Sequence, residues 1–140
     1  MTLDIIEIAR ERAYPPRVSA FTLPFWQSLS DGRWLTTYCE QCARFTFPPK
    51  AVCPHCWSKK MQWKDLTSTG TLYSWTLVHA PPAVFTADAP YHLGIIDLDS
   101  GLRIATRLLD PESGAYTPGM RMKIVALRYR DGPLFAARAI

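Results

Sequence analysis

The four cysteines of the chain form two Cys-x-x-Cys pairs with ten residues between the pairs. They are Cys39, Cys42, Cys53 and Cys56. Two residues between paired thiolates allow both sulfurs of one tight turn to face one ion, and two such turns supply the four sulfurs of a tetrahedral zinc site. Redox-active dithiols, disulfides and an iron site are the alternatives for this spacing. Because four thiolate ligands leave no position for a catalytic water, the pattern predicts zinc in a structural role.

The three histidines are the other candidates for chemistry, and none has an evident catalytic partner in the sequence. His55 lies inside the second cysteine pair, where it could replace a cysteine as a metal ligand, although four sulfurs already suffice. His79 and His92 flank the proline-bearing loop at residues 81–90, and either could act as a general base if a nucleophile lay beside it. With every cysteine assigned to the metal and no glycine-rich phosphate loop, the sequence predicts a chain that is not an enzyme by itself.

Composition and charge indicate a soluble globular protein without a membrane span. The 140 residues are 48% apolar and 20% charged, and no apolar run approaches the roughly 20 residues that cross a bilayer. Sixteen basic and twelve acidic residues give a net charge of +4, which allows contact with phosphates but does not demand nucleic acid. The N-terminus does not resemble a secretory signal, and clustered reduced thiolates favour a reducing compartment, so we expect a cytoplasmic protein.

Two short helices are predicted at the N-terminus. In residues 2–13, Ile5, Ala9 and Ala13 recur at a four-residue spacing, which predicts an amphipathic helix that docks either on its own domain or on a partner. Residues 23–32 contain a proline suited to a first helical turn and end on a glycine suited to a C-terminal cap, which predicts a second helix.

The remainder of the chain predicts strands, and the protein is expected to be mainly β. Residues 33–66 form a zinc ribbon in which Trp57, Met61 and Trp63 are expected to pack around the second cysteine pair. Five further strands are predicted at residues 70–79, 91–97, 102–109, 121–129 and 134–138. Five strands without a long helix favour a closed OB-fold barrel, because closure removes exposed edges, although a small sandwich would have a similar pattern. The predicted organisation is a helical arm at 1–32, the ribbon at 33–66 and the OB-fold at 67–140.

The order of short motifs over roughly residues 22–140 resembles a bacterial and archaeal family long filed as a domain of unknown function. Its members join a rubredoxin-like zinc ribbon to an OB-fold. The matching motifs are Pro24-Phe25-Trp26, Gly32-Arg33, the two cysteine pairs, Phe47-Pro48-Pro49, Gly70-Thr71-Leu72-Tyr73-Ser74, Val78-His79-x-Pro81-Pro82, Asp97-Leu98-Asp99 and Gly119-Met120. The chain departs from the family at Ala43 and Trp57, where a glycine usually follows each cysteine pair.

This resemblance implies an accessory subunit of a thiolase-like enzyme, such as a thiolase, a side-chain-cleaving aldolase or an acyltransferase. Such a hetero-oligomer would process an acyl-CoA in lipid or aromatic degradation, with the catalytic residues on the partner. The partner interface is predicted at Phe25, Trp26, Phe45, Phe47, Pro48 and Pro49. Contacts with the acyl-CoA are predicted at Arg33, Arg44, Lys50, His79, Arg103 and Arg107. The alternative is nucleic-acid binding by the ribbon and barrel, for which the sequence offers a basic face on one strand, through Arg103 and Arg107.

Overall fold

The computed structural model describes residues 2–140, which form a mainly β protein with one α-helix. None of the helices in residues 2–140 has the length and hydropathy of a membrane span. The elements in chain order are β1 (Ile5–Glu7), α1 (Leu23–Ser30), β2 (Leu35–Cys39), β3 (Arg44–Thr46), β4 (Met61–Asp65), β5 (Thr69–Val78), a 3₁₀ helix (Ala83–Asp88), β6 (Tyr91–Leu98), β7 (Arg103–Leu108), β8 (Arg121–Tyr129) and β9 (Gly132–Ala139).

Strands β5 to β9 close into the predicted OB-fold barrel. Their order around the barrel is β5-β6-β7-β9-β8, and β8 returns to pair with β5. All of these contacts are antiparallel except β7 with β9, where Leu108 opposes Ala137 in a parallel pairing. Side chains alternate along β7 as in a barrel wall: Ile104 and Leu108 are buried inside, while Arg103 and Arg107 lie on the outer face. Each predicted barrel strand is confirmed to within two residues of its expected limits.

The predicted helix at residues 2–13 is wrong, because this segment contains a strand. Strand β1 pairs in parallel with β8, with Ile5 opposite Ala126. Ile6 and Ile8 pack on a small second core formed by the outer face of β8 and β9. A helix of about twelve residues is marginal in water, whereas the β-branched isoleucines fit a strand that satisfies the open edge of β8. Of the two alternatives for this segment, docking on its own domain or on a partner, the structure shows the first, with the segment as a strand.

Helix α1 is confirmed, and it connects the ribbon to the barrel through a cluster of aromatic rings. Phe25 of α1 is 4% exposed. Its ring centroid lies 5.8 Å from that of Trp34, 5.9 Å from Phe47 and 6.4 Å from Phe135 on β9. Because helix, ribbon and barrel contribute rings to one core, the two β units pack as a continuous body.

The zinc ribbon is built on a three-stranded antiparallel sheet in the order β3-β2-β4. Strand β4 was not predicted; within it, Trp63 pairs with Thr37 of β2 and its ring lies 5.6 Å from that of Phe21. The expectation that Trp57 packs around the second cysteine pair is wrong, because 81% of this residue is exposed.

Candidate functional site

The two cysteine turns bring four sulfurs into one cluster. The Sγ atoms of Cys39 and Cys56 are 3.6 Å apart, those of Cys42 and Cys53 are also 3.6 Å apart, and all four lie within 4.8 Å of one another. The cysteines are not disulfide-bonded. A tetrahedron with Zn–S bonds of about 2.3 Å has sulfur–sulfur edges of about 3.8 Å, so these residues fit a four-thiolate zinc site. His55 is exposed and lies outside this group of ligand atoms.

Backbone N–H groups of the turns point at the first sulfur of each pair. The N–H of Cys42 donates to Cys39 Sγ at 3.5 Å, and the N–H of His55 donates to Cys53 Sγ at 3.4 Å. The Cys42 contact is the main cause that lowers the pKa of Cys39 to about 6, whereas burial among the other thiols raises the pKa of Cys42 to about 12. Because a metal ion binds the thiolate form, the lowered pKa favours cation binding at Cys39, the first cysteine of its pair.

The two positions where the family usually has glycine adopt the left-handed backbone conformation. Ala43 has φ 59° and Trp57 has φ 64°. The Ala43 N–H donates to the carbonyl oxygen of Cys39, and the Trp57 N–H donates to that of Cys53, both at 2.9 Å, which closes the two turns. An L-residue in this conformation costs roughly 1–2 kcal/mol, so both turns hold a strain that glycine would relieve. The departures from the family therefore fall at the positions where they are energetically costly.

The structure places the three phenylalanines of the predicted partner interface in aromatic contacts within this chain. The prediction that Phe25 belongs to the partner interface is wrong, because its side chain is buried in the aromatic core described above. Phe45 is partly buried with its ring 4.9 Å from that of Tyr38, and Phe47 is partly buried 5.4 Å from Trp34. The other predicted interface residues, which retain exposed surface beside these rings, are Trp26, Pro48 and Pro49.

Two of the predicted acyl-CoA arginines are held by carboxylates on the outer face of the barrel. Arg103 donates from Nε and Nη2 to Asp97 at 2.6 and 3.1 Å. Its guanidinium also lies 3.8 Å from the ring centroid of Tyr73. Arg103 lowers the pKa of Asp97 through these hydrogen bonds. An arginine so occupied would have to release its carboxylate before it could bind a phosphate.

Arg107 belongs to an ion-pair network that joins three segments of the chain. The Asp88 side chain, 7% exposed, lies 3.3 Å from Arg107 and 2.7 Å from Arg10. Arg107 also lies 4.2 Å from the ring centroid of Tyr91. The network ties the loop after β5 to the N-terminal segment and to β7. This role is structural, and it occupies the charge of Arg107.

The other predicted acyl-CoA residues differ in whether a carboxylate lies near their side chains. Arg33 lies 3.3 Å from Asp65, and both side chains are more than half exposed. Lys50 and His79 are exposed, and the Lys50 N–H donates to Thr37 Oγ1 at 2.9 Å. Arg44 is exposed, and among residues 2–140 no carboxylate oxygen lies within 4 Å of its guanidinium.

Arg44 lines an open cavity of about 590 Å³ between the ribbon and the turn that joins β6 to β7. We call this cavity the ribbon–barrel cleft. Its ribbon side also contains His55 and the edge-to-face pair of Tyr38 and Phe45. On its barrel side, Ser100 Oγ is buried and has no hydrogen-bond partner in the described part of the chain. An unsatisfied hydroxyl, a histidine and an arginine beside aromatic rings can bind an anionic ligand with an apolar portion.

The barrel side of this cleft was not predicted from the sequence. The segment Asp99-Ser100-Gly101 has the composition of an ordinary turn, and its distance from Arg44 along the chain hides its proximity in space. The buried, unsatisfied hydroxyl that marks the cleft has no local sequence signal.

Family models match both parts of the chain. The model for the ChsH2 rubredoxin-like zinc ribbon domain matches residues 26–62, and that for the ChsH2 C-terminal OB-fold domain matches residues 63–127. A chain in the solved structure of an Ltp2–ChsH2(DUF35) aldolase superposes with a TM-score of 0.75 at 24% identity. The superposition covers 89% of this chain and 98% of that chain, which shows a common fold.

Curated relatives extend the similarity to sequence. A DUF35 domain-containing scaffold protein of Methanocaldococcus jannaschii is 30% identical over 95 residues, which are 66% of this chain and 67% of that protein. The benzoylsuccinyl-CoA thiolase subunit BbsA of Thauera aromatica is 32% identical over 96 residues, which are 66% of this chain and 65% of that protein. With a zinc ribbon followed by an OB-fold, and with this identity, the chain belongs to the DUF35 family.

Proposed function

We propose that this chain is a non-catalytic accessory subunit that binds a thiolase-like partner and helps to position its acyl-CoA substrate. The observation that carries the proposal is the 32% identity to BbsA, which is named as a subunit of a thiolase. The shape of the molecule supports it, since a shared aromatic core makes ribbon and barrel one rigid body that can present a surface to another protein. We also propose a cytoplasmic location, which the reduced thiols support.

In this proposal the four thiolates hold one structural Zn²⁺. The ion would supply cross-linking between the two cysteine turns, and it would carry no step of the chemistry because four protein ligands complete its coordination. The residues of this chain would do the remaining work by keeping the ribbon–barrel cleft and the exposed ribbon surface in a fixed relation.

The ribbon–barrel cleft is the proposed contact for the phosphate-bearing part of the acyl-CoA. Arg44 supports this assignment, because its guanidinium is unoccupied by carboxylates within the described residues and can bind phosphate in a bidentate manner. Lys50 and His79 remain proposed contacts, as does Arg33, whose exposed pairing with Asp65 is weak. Arg103 and Arg107 are less suited, since each is held by a carboxylate.

The proposed partner interface is the exposed surface of Trp26, Pro48 and Pro49, together with the edges of Phe45 and Phe47. Proline-stiffened segments lose little conformational entropy when they bind, which favours a stable contact.

Co-expression with a thiolase-like protein from the same genome tests the proposal. We expect a complex that elutes as one species, and acyl-CoA turnover that neither chain has alone. Arg44→Ala should raise the KM for acyl-CoA about 5- to 30-fold without loss of the complex, because one charge-assisted contact contributes roughly 1–2 kcal/mol. Arg17→Ala is the matched control, since Arg17 is an exposed arginine that does not line the cleft. Absence of a complex, or turnover that does not depend on this chain, would refute the proposal.

Nucleic-acid binding is less well supported by the outer face of the barrel. The two arginines that could contact a backbone there are paired with Asp97 and Asp88, so the face carries little net positive charge. Binding of single-stranded DNA with a steep salt dependence would instead favour this alternative.

A further inference from the structure

We propose that Trp57 is the anchor by which the second cysteine turn docks on the partner, inserting into an apolar pocket with an acidic rim on the thiolase-like subunit. The inference rests on the proposed function and adds a residue outside the interface predicted from the sequence. Four observations support it: the exposure of the indole, its backbone conformation, its rigid mounting and the charge around it.

Exposure is the first observation. Trp57 is 81% exposed, which is the largest value among the large apolar side chains of residues 2–140. The other tryptophans are buried or partly buried at positions 26, 34, 63 and 75. Val52, the residue before the second cysteine pair, is a further exposed apolar side chain at 37%. Tryptophan is the residue type most enriched among side chains that dominate protein–protein binding energy.

Backbone conformation is the second observation. Trp57 adopts φ 64°, in the left-handed region that a bulky residue occupies only at a cost. Glycine would relieve that strain and would remove an apolar ring from solvent. A residue that is unfavourable on both counts for the isolated chain indicates a function for the side chain itself.

The third observation is that hydrogen bonds hold the backbone of Trp57 in place. The Trp57 N–H donates to Cys53 O at 2.9 Å, and the Cys53 N–H donates to Ser58 O at 2.9 Å. Cys56, the preceding residue, belongs to the sulfur cluster. The backbone of Trp57 is thus held on both sides before any partner binds, so that docking costs little ordering entropy beyond that of one side chain.

The charge distribution indicates the chemistry of the partner pocket. Residues 33–66 contain six basic and two acidic side chains, so the ribbon accounts for the whole net charge of +4 while the rest of the chain is balanced. Lys59 and Lys60 follow Trp57 and are exposed, and within residues 2–140 neither has a carboxylate oxygen within 4 Å. A pocket for Trp57 should therefore be rimmed by Asp or Glu, which would steer and orient the encounter.

The decisive comparison is Trp57→Gly against Ala43→Gly, because both variants place glycine at a left-handed position after a cysteine pair, but only the first removes an aromatic ring. Affinity for the purified thiolase-like subunit is measured by calorimetry without acyl-CoA. We expect Trp57→Gly to weaken binding by about 30-fold or more and Ala43→Gly to change it less than about 3-fold. Both variants should retain the metal content and melting temperature of the wild type or exceed them.

A second pair of measurements examines the ring and the charges separately. Trp57→Phe should retain most of the affinity that Trp57→Gly loses. The fluorescence of Trp57, taken as the difference between the spectra of the wild type and Trp57→Phe, should shift to shorter wavelength when the complex forms. Lys59→Glu with Lys60→Glu should slow association about 10-fold at low salt, with the difference vanishing at high salt.

Equal affinities of Trp57→Gly and Ala43→Gly in an intact complex would overturn the inference and leave the proposed function standing. Failure of the wild-type chain to bind the subunit would overturn both. Trp57-dependent binding to vesicles of anionic lipid, or to single-stranded DNA, with no effect on the subunit, would assign the anchor to a different partner and also overturn the inference.

Discussion

Replacing Phe25 by alanine distinguishes a core residue from an interface residue. The side chain is 4% exposed, and its ring lies within 6.4 Å, between centroids, of the rings of Trp26, Trp34, Phe47 and Phe135. Removing a buried phenylalanine costs about 3–5 kcal/mol, since the transfer free energy is lost and a cavity remains. Because these rings belong to helix, ribbon and barrel, we expect the free energy of unfolding of the isolated chain to fall by about 4 kcal/mol.

That loss corresponds to a decrease of roughly 10 °C in melting temperature for a chain of this size. Urea denaturation of the zinc-loaded protein, followed by near-ultraviolet circular dichroism, measures it directly, and a common slope for wild type and variant would show that stability alone has changed. Phe21→Ala is the matched control, because Phe21 is 37% exposed and its ring centroid lies 5.6 Å from that of Trp63 in a tilted pair. We expect the control to cost about 1 kcal/mol or less.

A Phe25→Ala chain within 1 kcal/mol of the wild type would refute this account of the shared core. If that variant also lost affinity for the thiolase-like subunit, the original assignment of Phe25 to the interface would be restored. Stability loss without any selective effect on the partner is the outcome expected from the structure.

Three further predictions concern the metal and the carboxylates. Mass spectrometry of the native chain should find one zinc per chain. Chelation should lower the melting temperature and alter the tryptophan circular dichroism, because structural zinc contributes about 10 kcal/mol or more to the folding free energy of small modules. A chain that folds identically without metal would contradict this prediction. Asp99 accepts hydrogen bonds from Arg121 at 2.7 and 2.9 Å, which with Thr69 lower its pKa to about 2. Since the folded pKa is below the ordinary value of 3.8, the stabilisation is present above about pH 4 and is lost as the pH falls towards 2; a carboxyl NMR midpoint near 3.8 would contradict the pairing. Asp88→Asn should cost about 1–3 kcal/mol in urea unfolding, because it leaves Arg10 and Arg107 without their carboxylate; an unchanged midpoint would show that the network is not stabilising.

The spacing of residues along the chain predicted the sulfur cluster and the barrel. Two residues between cysteines confine both sulfurs of a pair to one turn whatever the rest of the molecule does, so each pair of sulfurs is a local property. The alternation of Ile104 and Leu108 with Arg103 and Arg107 likewise follows from the strand repeat of two. Even the positive φ of Ala43 and Trp57 could be anticipated, because the family usually has glycine there.

Tertiary contacts decided the features for which the local pattern was ambiguous or silent. Ile5 fits one face of a helix as well as a strand, and the open edge of β8, more than a hundred residues away, selected the strand. Whether an aromatic ring faces a partner or a core depends on what else reaches it, and Phe135 on the last strand helps to bury Phe25. The pairing of Arg107 with Asp88 and the opening of the cleft beside Arg44 depend on the same long-range closure. The sequence by itself determined the metal-binding residues and the five barrel strands, because those patterns depend on neighbours in the chain. The tertiary structure decided the strand at Ile5 and which side chains remain available to other molecules, because both depend on segments that are distant in the chain.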